Sequence, residues 1–165
     1  MKVRVRIVAL LFAVPVSMAL AFDPKQAPLP SATDFSATLL PERADVVSWK
    51  LLAQVTPGNE KGKVVPVFAD AILALDKKDV KVQGFIVPIE PDPKQKHFVL
   101  SAVPMSCPFC MPAGPEAMVE VRLNEGIDYS EAPIVVAGKF AVTKDDPRGV
   151  FYSVTEGVAV SAASR

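Results

Sequence analysis

The segment Met105-Ser106-Cys107-Pro108-Phe109-Cys110-Met111 places both cysteines of the chain and two thioether sulfurs within seven consecutive residues. Two thiols separated by two residues can chelate one metal ion, cross-link to each other, or exchange disulfides with another protein. Thiol exchange of the thioredoxin kind needs the pair at a helix amino terminus within a βαβ context, where the helix dipole lowers the pKa of the attacking thiol. Pro112, Gly114 and Pro115 work against a helix starting directly after this pair. A disulfide closing a ring of about four residues stabilises a fold by roughly 2 kcal/mol at best, before the strain of so short a loop is subtracted. Chelation uses the closeness better, because two thiolates about 2.3 Å from one ion require such a bite. Metal binding is therefore the leading expectation. Thiol-disulfide exchange through Cys107 and Cys110, and a structural disulfide in a non-catalytic interaction module, are the alternatives.

A zinc site takes four ligands, and two cysteines supply half of them. His97, the chain's single histidine, is the candidate third donor, one predicted strand before the cysteines. Met105 and Met111 would instead complete a soft, sulfur-rich set that favours Cu(I) over zinc, unless they are gap-filling core residues. Glu116 and Glu120 lie close in sequence but read as solvated acids. Asp145 and Asp146, ahead of Pro147 and Gly149, read as turn formers. The sequence holds no G-x-S-x-G elbow, no Gly-rich phosphate loop and no H-E-x-x-H. One histidine leaves little room for a conventional triad, so a non-enzyme is expected.

The amino terminus reads as an export signal over residues 1–21. Lys2, Arg4 and Arg6 precede an apolar run from Ile7 to Leu20, with small residues at Ala19 and Ala21. The run is short for a hydrocarbon core, which needs about 20 apolar residues, and Pro15 interrupts it. Cleavage after Ala21 predicts a soluble periplasmic protein with no membrane span. It removes three of the 18 basic residues and no acid, leaving 15 bases against 18 acids. A mildly acidic chain without a basic stripe lacks the electrostatic footprint of a nucleic-acid binder.

Positioning falls to a single β-rich domain over residues 42–165, behind an extended, proline-rich leader over 22–41 that contains Pro24, Pro28, Pro30 and Pro41. Val47, Leu51 and Val55 recur four apart, with Trp49 and Leu52 beside them, so an amphipathic helix is expected over Glu42–Val55, ended by Pro57 and Gly58. A second short helix is expected within Val67–Leu75. After Asp79 the hydrophobic period becomes two: Val80, Val82, Gly84 and Ile86 alternate with Lys81, Gln83, Phe85 and Val87 until Pro88. Comparable runs follow at His97–Val103, Ala117–Leu123, Pro133–Thr143 and Val150–Val160. Asp92-Pro93, the cysteine segment, Asn124-Glu125-Gly126 and Asp145-Asp146-Pro147 separate them. The predicted fold is mainly β, with α+β as the variant: a small five-stranded, barrel-like sheet of the oligonucleotide/oligosaccharide-binding (OB) type, preceded by one or two short helices.

Several of these stretches also carry a family resemblance. Trp49 with Leu52, Pro66-Val67-Phe68, the strand from Val80 to Pro88 with its Gly84-Phe85 step, and His97-Phe98-Val99-Leu100 are its first part. The cysteine segment, Val119-Glu120-Val121, Val136-Ala137-Gly138 and Tyr152 complete it. Together they resemble a family of exported bacterial proteins catalogued as a domain of unknown function. The resemblance covers most of Trp49 to Val160. Some members resemble components of zinc-starvation operons, encoded with a macrolide-exporter-like ABC transporter and another periplasmic metal-binding protein. That implies zinc as the ion and such proteins as partners. Many relatives carry a Cys-x-His loop followed by prolines and an asparagine, whereas this chain has Cys-Pro-Phe-Cys. The resemblance therefore carries over Cys107 best, and Cys110 replaces the histidine in kind but not in spacing.

Overall fold

The structure, a computed structural model, describes residues 31–41, 43–106 and 113–160. The signal reading, most of the leader, and Cys107, Cys110 and Met111 lie outside the described residues. The elements run α1 (Ala32–Leu39), α2 (Trp49–Leu52), β1 (Val55–Glu60), β2 (Lys63–Phe68), α3 (Asp70–Leu73), β3 (Asp79–Pro88), β4 (Lys94–Ser101), β5 (Met118–Asp128), β6 (Ile134–Val142) and β7 (Tyr152–Val160). A single 3-10 turn, Pro115–Ala117, precedes β5. No helix among the described residues is long and apolar enough to cross a membrane.

The five strands β3 to β7 close into a barrel in the order β3-β4-β5-β7-β6, with β6 returning to β3. Every pairing is antiparallel except β5 with β7, which is parallel. This is the expected mainly-β, five-stranded barrel with OB-type connectivity, and short helices do precede it. Closure leaves the barrel without a free edge. The alternation read from the sequence turns Val82, Phe98, Leu100, Val119, Val121, Val136, Phe140 and Val154 into the core, all fully buried.

Gly84 marks the point where β3 changes partner, from β6 over Asp79–Gly84 to β4 over Phe85–Pro88. The helices before the barrel cover its interior. Trp49 and Leu52 of α2 and Ile72 of α3 are buried with the barrel residues. The buried Tyr152 hydroxyl donates to the Leu52 carbonyl at 2.7 Å, and its ring stacks on Phe140 with centroids 5.6 Å apart.

Several local expectations are corrected. The predicted helix over Glu42–Val55 shrinks to Trp49–Leu52, capped by Ser48, whose Oγ accepts from the Lys50 amide at 3.2 Å. Val47 instead forms a parallel bridge with Val82, its amide donating to the Lys81 carbonyl at 2.8 Å. A β-branched residue beside a barrel strand gains more from that ladder than from a helical turn. Pro57 and Gly58 do not end a helix but lie inside β1. The turn of the β1-β2 hairpin is Lys61-Gly62, with φ of 51° and 80°, the left-handed pair that a two-residue hairpin loop requires.

Pro57 faces Pro66 across this hairpin. In that register both prolines occupy positions whose N–H would point outward, so each blunts a sheet edge. The end of the stretch read as an extended leader is helical, because Ser31 and Asp34 form a capping box at the start of α1. The second helix is confined to Asp70–Leu73, with Val67 and Phe68 in β2. Asn124-Glu125-Gly126 is not a turn. β5 continues through it and absorbs the extra residues in a slip of register, where Gln95 faces Ile127 and His97 faces Arg122.

Candidate functional site

Among the sequence-derived donors, the structure describes His97 and Met105, and it does not bring them together. Met105 follows the end of β4 with 77% of its surface exposed, so it is not the gap-filling core residue that is a methionine's usual role. His97 sits in the middle of β4, four residues before Ser101, or on the order of 13 Å along the strand.

Strand alternation turns His97 to the outer face, opposite Phe98 and Leu100. There its Nε2 lies 2.7 Å from Oε1 of Glu120 and its Nδ1 3.2 Å from Oε1 of Glu90, so both ring nitrogens face carboxylates. A histidine ligand must present one nitrogen lone pair to the metal. In this arrangement both nitrogens of His97 are engaged by carboxylates. Among the described residues, no group of three or more His, Cys, Asp or Glu side chains is placed to hold a metal ion.

Glu120 is the hub of that cluster, and its reading as a solvated acid is corrected. Its side chain is 6% exposed, on the outer face of β5 between the inward-facing Val119 and Val121. Arg148, on the connection between β6 and β7, grips the carboxylate bidentately, Nη1 donating to Oε1 at 3.1 Å and Nη2 to Oε2 at 2.7 Å. Arg122 adds a third guanidinium bond to Oε1 at 3.1 Å. These bonds hold the Glu120 carboxyl down at about 2. The Arg148 bonds are the largest cause, the His97 bond adds to them, and burial works in the opposite direction.

Arg148 is itself set by Asp146, whose Oδ1 accepts from the Arg148 amide at 2.8 Å and whose Oδ2 accepts from Nη2 at 3.0 Å. The Asp146 carboxyl is likewise lowered, mainly by Arg148. Asp146 opens the expected turn, closed by the Gly149 amide donating to the Asp146 carbonyl at 2.9 Å, and Asp145 lies just ahead of it. The tie of that turn to Glu120 escaped the sequence reading. The one local signal is the outward phase of Glu120 in a strand whose inward residues are valines. Chemically the cluster is a saturated ion network, in which each buried charge is paired and hydrogen-bonded.

The described residues also bear on the cysteine segment from its flanks. A helix of three turns begun at either cysteine would run through Ala113 and Gly114, which are not helical. The 3-10 turn Pro115–Ala117 and then β5 follow them. The segment joins the end of β4 to the start of β5, where Ser101 pairs with Met118. Because Glu120 pairs with Ser153, the start of β7 and the Arg148 connection leave from that same end of the barrel.

The family model described as "Protein of unknown function (DUF3299)" matches residues 37–155. The chain is similar to the crystal structure of a DUF3299 family protein from Pseudomonas aeruginosa PAO1, solved at 2.45 Å resolution. Sequence identity is 21% and the TM-score 0.47, with 70% of this chain and 95% of that chain covered. A search of curated proteins found no match.

Proposed function

The chain belongs to the DUF3299 family of proteins of unknown function, and from that premise we propose that it is a non-enzymatic periplasmic protein that binds one thiophilic metal ion through its sulfur-rich segment, for capture or delivery. The observation that carries this reading is the pair of thiols at chelating spacing, Cys107 and Cys110, followed by Ala113, Gly114 and a 3-10 turn at Pro115–Ala117 that leave no room for a long helix after them. Met105 supports it, since an exposed thioether beside two thiols has no packing role to explain it. His97 is dropped from the donor set because Glu90 and Glu120 occupy its nitrogens. What remains is sulfur. A set of two thiolates with Met105 and Met111 favours Cu(I), whereas Zn2+, the ion implied by the family resemblance, needs two further ligands from a partner. Such a partner is a metal-binding protein or an ABC transport assembly of the periplasm.

Anaerobic titration of the reduced, processed protein with Zn2+ and with Cu(I) tests the reading. About one ion should bind per chain, with release of protons as the thiols ionise. Cys107→Ser and Cys110→Ser should each weaken binding severely, because a serine hydroxyl is a far poorer ligand than a thiolate, and His97→Ala should leave it unchanged. Equal affinity of the wild type and the double serine variant for both ions would sink the metal reading in favour of a disulfide.

A further inference from the structure

The connection between β6 and β7 is closed at its base by the Thr143 amide donating to the Phe151 carbonyl at 2.9 Å, and Phe151 is anchored edge-on against Phe68 at 5.5 Å. Between those anchors, the one strong contact of residues 144–150 with the barrel wall among the described residues is the bidentate grip of Arg148 on Glu120. The other side-chain tie is Lys144 to Glu60 at 3.9 Å, between two exposed groups, which contributes little.

We propose that residues 144–150 are a strap, buckled by Arg148 to Glu120, that closes the outer face of β4 and β5 and can open without unfolding the barrel. Three features of the geometry argue for a strap rather than an ordinary turn. The buckle joins a charge that is 6% exposed to one that is 56% exposed, so the buried half stays fixed in the sheet while the guanidinium can leave. Asp146 holds Arg148 by its amide and its guanidinium, so the side chain and its loop move as one body. Gly149, at φ of 76°, supplies a left-handed joint that a residue with a side chain adopts only under strain.

The face that the strap covers is the one on which barrels of this connectivity take their ligands, between the first and last strand connections. Here Glu90, on the first of those connections, is tied into the same cluster through His97. Whatever binds this face must therefore lift Arg148 from Glu120 or engage the guanidinium where it stands.

Amide hydrogen exchange read by mass spectrometry on the whole processed protein tests it. Arg148→Ala removes the buckle but strands a buried carboxylate, which can destabilise the whole fold. The double variant Glu120→Gln with Arg148→Ala removes both charges and avoids that penalty. In the double variant, exchange over residues 144–150 should rise roughly tenfold, the size expected when a local contact to a charged group is lost. Residues 79–88 and 134–142 should stay far better protected than 144–150, losing only what the Glu120 pairing contributes to the stability of the whole fold. Arg148→Lys, which keeps the charge but not the fork, should fall between. Unchanged exchange over 144–150 in the double variant overturns the proposal, and so does exchange of 144–150 no faster than that of 79–88 and 134–142, which would mean that the strap opens only when the barrel unfolds.

Discussion

The indole of Trp49 lies over Gly84, at the point where β3 exchanges β6 for β4 as its partner. A Cβ built on Gly84 would meet Cζ2 of Trp49 at 3.2 Å, and the indole Nε1 donates to the neighbouring Gln83 carbonyl at 2.8 Å. One missing side chain thus lets the pre-barrel helix seat its largest residue on the barrel wall and hydrogen-bond to it.

Gly84→Ala should therefore be among the most damaging single-methyl changes in the protein. The added carbon would lie 2.6 Å from the Ser101 carbonyl oxygen and 2.9 Å from the Leu100 Cγ, and the first of these is backbone of the paired strand. Overpacking of this kind costs about 1–3 kcal/mol. Urea denaturation should show a clearly lower midpoint with an unchanged slope. A midpoint equal to wild type would mean that the barrel wall yields easily at this corner.

Glu120 sets an acid limit on stability. Its folded carboxyl titrates at about 2, below its ordinary value of 4.5, so its contribution is complete above the unfolded value and is lost as pH falls from about 4.5 toward 2. The pairing is worth on the order of 3 kcal/mol at neutral pH. Asp45 and Asp146, lowered chiefly by Arg43 and by Arg148, act in the same direction. Glu120→Gln should lower stability at pH 6 and converge on the wild type near pH 2, as read by denaturation at a series of pH values. Parallel curves for the two proteins would contradict the assignment.

Glu156 carries avoidable backbone strain. It adopts φ of 52° inside β7, beside the register slips toward both β5 and β6, and its side chain is exposed. A left-handed conformation costs a residue with a Cβ roughly 1–2 kcal/mol, part of which glycine returns through its freer unfolded chain. Glu156→Gly should therefore stabilise by about 0.5 kcal/mol, seen as a small rise in the melting midpoint. The Asn124 side chain bonds only the Glu156 carbonyl, so the variant keeps that contact. A loss of stability would show that the carboxylate has a role beyond the bulge.

The sequence by itself determined the barrel strands from Asp79 onward, except for β5 beyond Leu123, because period-two alternation and the Pro, Gly and Asp residues between strands act over a few neighbours. β3 ends at Pro88 as read, and β6 and β7 each begin or end within two residues of expectation. The two-residue spacing of Cys107 and Cys110, on which the metal proposal rests, is legible for the same reason: it is a property of four consecutive residues.

Where local signals conflicted with distant partners, the tertiary structure decided. Val47, Leu51 and Val55 have helical spacing, yet Val47 bridges to Val82 and Val55 pairs with Phe68. Pro57 and Gly58 look like breakers, but a two-stranded hairpin tolerates them where they face its edge. Of the Glu120 cluster, only the outward phase of Glu120 in its own strand is legible locally. Arg148 lies 28 residues from Glu120, and no pattern in either neighbourhood points to the other. They meet because barrel closure lays β7 parallel to β5 and brings Ser153 opposite Glu120. Such a contact comes from the pairing of strands distant in sequence, and only the closed barrel supplies it.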